Sequence, residues 1–199
     1  QGIKLLEVPS FMYLGLMFDH RNTWGPLLLS KKLVLSKTTG AVMDFSRNLG
    51  KRPIRALIEL YRSKCVSAVS YGAEIWGYVA CPDIQIQENK FLRSILRLPQ
   101  CSSVFNIHEE LGVPYIGDLI ALRPLIYWLK LWLRAEPELT RQIVIDCLSL
   151  DQVARIPWIN YIKKEFSALG RPDLFFVPSS ICSGDVVWVK KQFLLKKQL

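Results

Sequence analysis

Apolar residues recur along this chain at helical spacing over most of its length, and only the first stretch alternates instead. Ile3–Val8 is apolar-rich, Pro9-Ser10 interrupts it, and Phe11–Phe18 resumes with aromatic and aliphatic residues. That pattern predicts two strands closing a hairpin. Gly15, inside the second run, predicts a bulge or the close approach of another backbone. Asp19-His20-Arg21-Asn22 is turn chemistry.

Beyond the turn the period is that of helices. Leu28, Leu35, Val42 and Leu49 recur every seven residues with Phe45 beside them, predicting a helix over 27–49 with Gly50 as its C-cap. Pro53 opens a second helix, with Ile54, Ile58, Tyr61, Cys65, Ala68, Gly72 and Ile75 on one face and Arg52, Arg55, Glu59 and Arg62 on another. A third is predicted over 83–98, with Ile84, Phe91, Ile95 and Leu98 inward and Pro99 as its stop. A short helical turn over 106–111 ends at Gly112. The clearest period of all, Leu119, Leu122, Ile126, Leu129 and Leu133, predicts a helix over 117–134 kinked at Pro124. Its neighbouring face reads Arg123, Tyr127, Lys130, Arg134. Helices over 137–148 and 157–169 follow, then a loop over 171–180, and 186–195 fits either a strand or a helix. The predicted fold is mainly α: a hairpin over 1–22, a helical bundle over 23–135 and a further helical segment over 136–199.

With 199 residues, half of them hydrophobic, the chain has globular composition and enough length to bury a core. Five cysteines without close pairs argue against a disulfide framework or a zinc site of the CxxC type. His20 and His108 are the only histidines, which disfavours much ordinary metal and acid–base chemistry. Gln1–Ser10 carries Lys4 and Glu7 and does not read as a signal peptide, and Ile116–Leu133 is too charged for a membrane span. A start at Gln rather than Met, opening directly into a strand-like run, reads as a piece of something longer.

The net charge of +9 is unevenly placed. Between residues 27 and 64 stand Lys31, Lys32, Lys37, Arg47, Lys51, Arg52, Arg55, Arg62 and Lys64 against only Asp44 and Glu59. Such a segment fits a surface that faces a polyanion, and equally a solvated lysine-rich face.

One family resemblance gives the charge a meaning. Ser10-Phe11-Met12-Tyr13-Leu14-Gly15-Leu16-Met17-Phe18-Asp19, Leu60-Tyr61, Ser70-Tyr71-Gly72-Ala73-Glu74-Ile75-Trp76-Gly77, Gln87-Glu88-Asn89-Lys90-Phe91-Leu92-Arg93-Ser94-Ile95-Leu96, Glu110-Leu111-Gly112-Val113-Pro114 and Arg123 with Tyr127-Trp128-Leu129-Lys130 follow one another in order. In that order and spacing they resemble the region just after the catalytic palm of non-LTR (LINE-type) retrotransposon reverse transcriptases, over residues 7–134. The resemblance implies that Met12, Tyr13, Leu14 and Gly15 match the Phe-x-Tyr-Leu-Gly string of the primer-grip strand, beside the primer's 3′ end. It implies that the following helices are similar to the thumb, which holds the RNA–DNA hybrid by its backbone. Lys31, Lys32, Lys37, Arg47, Lys51, Arg52, Arg55 and Arg62 fall there, where phosphate contacts need long cations and no base readout.

It also implies partners: an RNA/DNA template-primer, the palm and fingers of a polymerase, and an intracellular, nuclear or cytoplasmic ribonucleoprotein setting. The family's polymerases use magnesium held by aspartates, including an Asp-Asp pair N-terminal to the primer grip. This chain contains no Asp-Asp pair and its first Asp is Asp19, so the expectation is grip without catalysis and no cofactor of its own. The alternative is a retroelement remnant serving as a helical protein-interaction module. Without a palm, Leu5, Val8 and Phe11 would be exposed and could drive self-association through the hairpin.

Other constellations are weaker. His108-Glu109-Glu110 lacks the second histidine of an HExxH site and reads as a solvated helix face. Asp19-His20 reads as a turn and the cysteines as small core residues. Gly72 and Gly77 read as sites of close helix packing. Trp76 and Trp132 read as core, whereas Tyr127 fits core or base stacking equally. The face on which Tyr13 sits is left open by the alternation.

Overall fold

In the computed structural model of the chain, the alternating stretch folds as a tighter hairpin than its pattern predicts. The structure describes residues 8–48, 53–133, 139, 142–146, 148–149, 156–176 and 180–198. Strand β1 (Ser10–Tyr13) pairs antiparallel with β2 (Leu16–Asp19), with Phe11 opposite Phe18 and Tyr13 opposite Leu16. The run Phe11–Phe18 is therefore two strands, not one, and Gly15 is not a bulge. Leu14 (φ 46°) and Gly15 (φ 77°) are both left-handed, as the two central residues of a type I′ turn must be. The strand expected before Pro9 lies outside the described residues except for Val8, which is exposed and not in a strand.

The chain divides into two compact units, Gln1–Tyr71 with Cys81–Gly117, and Gly72–Ala80 with Asp118–Leu199. The division falls at neither 22 nor 135. In the first unit, helix α1 (Gly25–Asn48) packs on β2, on α5 (Pro82–Leu96) and on the helix that follows it. Its buried stripe is Leu27, Lys31, Leu35, Thr39, Val42 and Ser46. The expected heptad is thus half right: Leu35 and Val42 are buried, Phe45 is exposed, and Leu49 and the Gly50 cap lie outside the described residues.

The second predicted helix is built from α2 (Ile54–Leu60), a π-helical turn (Tyr61–Val66) and α3 (Ser67–Val69). Leu57, Tyr61, Cys65 and Val69 are all buried at a strict spacing of four. An α-helix would carry such a series gradually around its axis, and the wider π turn brings it back into line. The face does not continue to Ile75. Gly72 stands at φ 74°, the left-handed residue before a separate short helix α4 (Ala73–Trp76), a backbone conformation that glycine adopts without strain. Arg97, at φ 56°, ends α5 before Pro99 is reached, and this turns Leu98 outward. Helix α6 (Val104–Leu111) is capped by the Ser103 hydroxyl, which accepts from the Asn106 N–H, and is closed by left-handed Gly112.

Helix α7 (Ile116–Leu133) belongs to the second unit from Asp118 on, and there it is buried most of the way round. Leu122, Leu125, Ile126, Trp128, Leu129 and Leu131 join one core with Ile159, Ile162, Phe166, Leu174, Val189 and Phe193. Those partners come from α8 (Pro157–Ala168), α9 (Asp173–Phe176) and α10 (Ser183–Gln198). The expected loop over 171–180 therefore contains a helical turn, and the undecided segment over 186–195 is helical. Residues 142–146 are helical as expected, and Arg134 lies outside the described residues. Trp76 is fully buried, and Trp132 is partly buried against the core.

Gly77 explains how a proline sits inside α7. Pro124 has no N–H for the Ile120 carbonyl. A Cβ on Gly77 would fall far inside contact distance of that oxygen and of the Ala73 carbonyl, and 3.1 Å from Pro124 Cδ. The bare backbone is the only one that fits. Gly40, in the middle of α1, has nothing within 4 Å of its would-be Cβ. The two glycines should therefore respond with opposite sign in urea unfolding. Gly77→Ala should cost about 2–4 kcal/mol, because backbone has to move. Gly40→Ala should gain about 0.5–1 kcal/mol through the unfolded chain's entropy and helix propensity.

Candidate nucleic-acid interface

The hairpin is held from its second strand. Leu16 is buried, whereas every residue of β1 is exposed. Cross-strand partners share a face, so Tyr13 lies on the side of Leu16 and Phe11 stacks on Phe18 at 5.7 Å between ring centroids. As the outer strand, β1 still leaves Tyr13 60% and Leu14 72% exposed. The turn is fixed from below, where the Tyr71 hydroxyl donates to the Leu14 carbonyl at 3.1 Å and its ring lies 3.4 Å from where a Gly15 Cβ would be. A leucine in the left-handed region costs about 1 kcal/mol or more. The turn thus holds an apolar side chain out in water at an energetic cost. His20 and Asp19 serve the base of the hairpin, as turn chemistry predicts: Asp19 accepts from Thr23 at 2.7 Å, and His20 N–H donates to the Pro9 carbonyl at 3.0 Å.

The basic segment does not present all its charge. Lys31 is only 4% exposed, because it stands four residues from both Leu27 and Leu35 on the buried stripe of α1. Its ammonium donates to the Tyr71 carbonyl at 2.8 Å and lies 5.3 Å over the Tyr71 ring, which removes it from the expected phosphate-binding set. Arg62 braces its own unit, with Nη2 donating to the Gly112 carbonyl at 2.7 Å and Nη1 to Glu59 at 3.2 Å. Lys32 faces Asp83 at 3.4 Å and Arg47 faces Asp44 at 2.7 Å. These last pairs are solvated and worth at most about 1 kcal/mol, so a phosphate could displace either carboxylate. Lys37 and Arg55 are exposed, and Lys51 and Arg52 lie outside the described residues.

Lys64 of the basic segment is exposed too, and Phe45 joins it unforeseen. With Thr38, Ala41, Val42 and Leu60 they line a groove of about 360 Å³ between α1 and the helix after it. An aromatic edge beside an ammonium, over an aliphatic floor, is an arrangement that can stack a base and hold the adjoining phosphate. The apolar period of α1 gave no signal for this, since it placed Phe45 beside the core positions.

A second polar cluster is buried and was also missed. Glu88 is fully buried and accepts from Tyr61 Oη at 2.5 Å, Gln85 Nε2 at 2.6 Å and the Ile116 N–H at 2.9 Å. His108, expected in solvent, is buried with Nδ1 2.7 Å from the Val113 carbonyl and its ring stacked on Tyr115 at 4.0 Å. Its Nε2 lies 3.3 Å from Asn89 Oδ1 and 3.8 Å from Glu88. The stripe Ile84, Glu88, Phe91, Leu92, Ile95 could have placed the carboxylate inside. Burial pushes the Tyr61 hydroxyl far above its ordinary range, reinforced by the Glu88 charge, and pushes the Cys65 thiol up. Of the other described cysteines, Cys101 and Cys182 are exposed rather than core.

In the second unit Arg123, Tyr127 and Lys130 form the exposed strip of α7. Tyr127 meets Trp158 edge-on at 6.4 Å, and Arg123 lies 3.9 Å from Glu74. Trp128 is core, its indole N–H donating to the Leu174 carbonyl at 3.0 Å. Among the described residues no three His, Cys, Asp or Glu side chains come together as metal ligands, and no helix is long and apolar enough to cross a membrane. No known protein family, curated protein or solved structure matches the chain.

Burial holds the His108 imidazole below its ordinary value, against the raising effects of the Val113 carbonyl and Glu109. A base whose folded value is depressed binds its proton more readily when unfolded. Its stability contribution is therefore complete above about pH 6.5 and is lost as pH falls below that. Between about pH 7 and pH 5 the wild-type chain should lose more unfolding free energy than His108→Gln does, measured in parallel urea titrations. Equal losses would mean that the folded imidazole takes up its proton as readily as the unfolded one, so that burial does not depress it.

Proposed function

We propose that this chain is the primer-grip and thumb portion of a non-LTR retrotransposon reverse transcriptase, and that it holds a primer–template hybrid by its phosphate backbone. The observation that carries the reading is the hairpin: the string Phe11-Met12-Tyr13-Leu14-Gly15 forms an outer strand and turn whose side chains stand in solvent. In the same unit Lys37, Arg55 and Lys64 are exposed, the last beside the Phe45 groove. On this reading the hairpin tip meets the primer terminus through apolar contact with sugar and base. The cations of α1, α2 and the π turn neutralise phosphates without reading sequence. The polymerase's metal-binding aspartates are supplied by its palm; the role of this chain is to hold the duplex in place.

A second reading, a protein-interaction module, is favoured by one observation: Val8, Phe11, Met12, Tyr13 and Leu14 are a cluster of apolar residues, all exposed. In the first reading the same surface meets the palm and the primer.

Fluorescence anisotropy with a labelled RNA–DNA hybrid separates the two. Affinity should fall steeply with salt, with a log–log slope of several units, and should not depend on sequence. Lys37→Glu, Arg55→Glu and Lys64→Glu should each weaken binding and lower the slope by about one unit. Lys164→Glu and Lys191→Glu, exposed in the second unit, should leave the slope unchanged. Equal losses across both sets, or no binding at low salt, would overturn the grip and leave the hairpin as a protein contact.

A further inference from the structure

A second concavity in the first unit has a chemistry of its own. Between α5 and the start of α6 lies a cleft of about 520 Å³, within the range of small-molecule sites. Its wall on α5 carries Lys90 and Arg93, one helical turn apart, and none of the described residues that line it is acidic. Arg93 is held in place because its Nη2 donates to the Ser102 carbonyl at 3.0 Å, yet its Nε is buried and finds no acceptor. Asn89 adds to the donor side. Its Oδ1 already accepts from Gln85 Nε2 at 3.1 Å, so the amide N–H groups are what it has left to offer. Val104, the first residue of α6, brings the positive end of that helix to the rim. The remaining surface is aliphatic, with Ile86 and Leu98 both standing substantially exposed at the mouth.

We infer that this cleft binds a nucleotide-sized organic anion, its phosphate on Lys90 and Arg93 and its flat body against Ile86 and Leu98. The observations behind each half are independent. A wall that carries Lys90 and Arg93 and no carboxylate selects an oxyanion. Two large aliphatic side chains left in water beside those donors select a ligand that carries an apolar or aromatic body, since a bare phosphate would leave them uncovered. Gln100, also on the wall, is an amide able to meet the polar edge of a heterocycle. The inference stands apart from hybrid binding, because none of these residues belongs to the α1 groove or to the hairpin.

The test is a calorimetric titration of the whole chain with adenosine monophosphate, adenosine and inorganic phosphate at low salt. The nucleotide should bind saturably and at least about tenfold more tightly than either of its parts. Lys90→Glu and Leu98→Asp, both at exposed positions, should each weaken it about tenfold or more while leaving the circular dichroism and melting curve unchanged. Lys37→Glu, an equal change in net charge outside the cleft, should leave nucleotide affinity where it was. Adenosine binding as tightly as the nucleotide would overturn the anion subsite. Phosphate binding as tightly as the nucleotide would overturn the aliphatic one. Equal effects of Lys90→Glu and Lys37→Glu, or no saturable binding up to about 1 mM, would overturn the site altogether.

Discussion

The first unit depends on one buried carboxylate. Glu88 has no exposed surface and takes three donors from three places in the chain: Tyr61 in the π turn, Gln85 on its own helix, and the N–H of Ile116 at the start of α7. Each of those donors is itself removed from water or partly so, and the Tyr61 hydroxyl and the Ile116 N–H would lose this acceptor if the carboxylate were an aliphatic side chain. A buried charge is tolerated only when its hydrogen bonds are complete. The converse constraint acts on the chain: Tyr61, α5 and the first turn of α7 must arrive at fixed positions to complete them. Gln85 reinforces the arrangement by donating to Glu88 with its nitrogen while its oxygen accepts the Gly117 N–H at 3.2 Å. A network of this kind specifies one arrangement of helices where apolar packing alone would accept several.

That constraint reaches the surface through the π turn. Tyr61 and Cys65 face inward from it, and Arg62, Ser63 and Lys64 face outward between them. The register that brings Tyr61 to Glu88 therefore also decides where the cations between them emerge. Arg62 comes out beside the Gly112 carbonyl and is spent there, whereas Lys64 comes out at the Phe45 groove and remains solvated. Two basic residues two positions apart thus acquire different work, one internal and one external, from a single turn of irregular helix.

This is where sequence reading has its limit. Periodicity locates the helices because burying apolar surface is the strongest force favouring the fold and needs only the right spacing; α8, α5 and α7 begin and end within a residue or two of expectation. It cannot tell a lysine in solvent from one on a buried stripe, and Lys31 sits on that stripe only because the Tyr71 carbonyl, forty residues on, is there to receive it. Nor can it see a polar residue's distant partners, which is why His108 reads as surface beside Glu109 and Glu110 but is buried against Val113 and Tyr115. The hairpin fails differently. Its hydrophobic run is continuous through Leu14-Gly15, and the turn is encoded in two left-handed residues, one of which is a leucine that local propensity would not choose.

Leu14 is also the point at which local physics and fold disagree most, and the disagreement has a direction. A type I′ turn at this position is served at least cost by Asn-Gly or Gly-Gly. Leucine instead accepts a left-handed backbone and exposes most of its side chain, and the neighbouring Tyr13 and Met12 are exposed with it. Stability of the isolated unit gains nothing from that choice: a polar residue in the turn would relieve strain and uncovered apolar surface together. The turn costs stability twice and still has its backbone clamped by the Tyr71 hydroxyl, and on the proposed reading its exposed tip is the part that meets the primer. The cations follow the opposite logic, since leaving Lys37, Arg55 and Lys64 in water costs the fold almost nothing. Of the two halves of the proposed grip, then, the hairpin tip is the more informative, because solubility alone would account for the charges and would have removed the leucine.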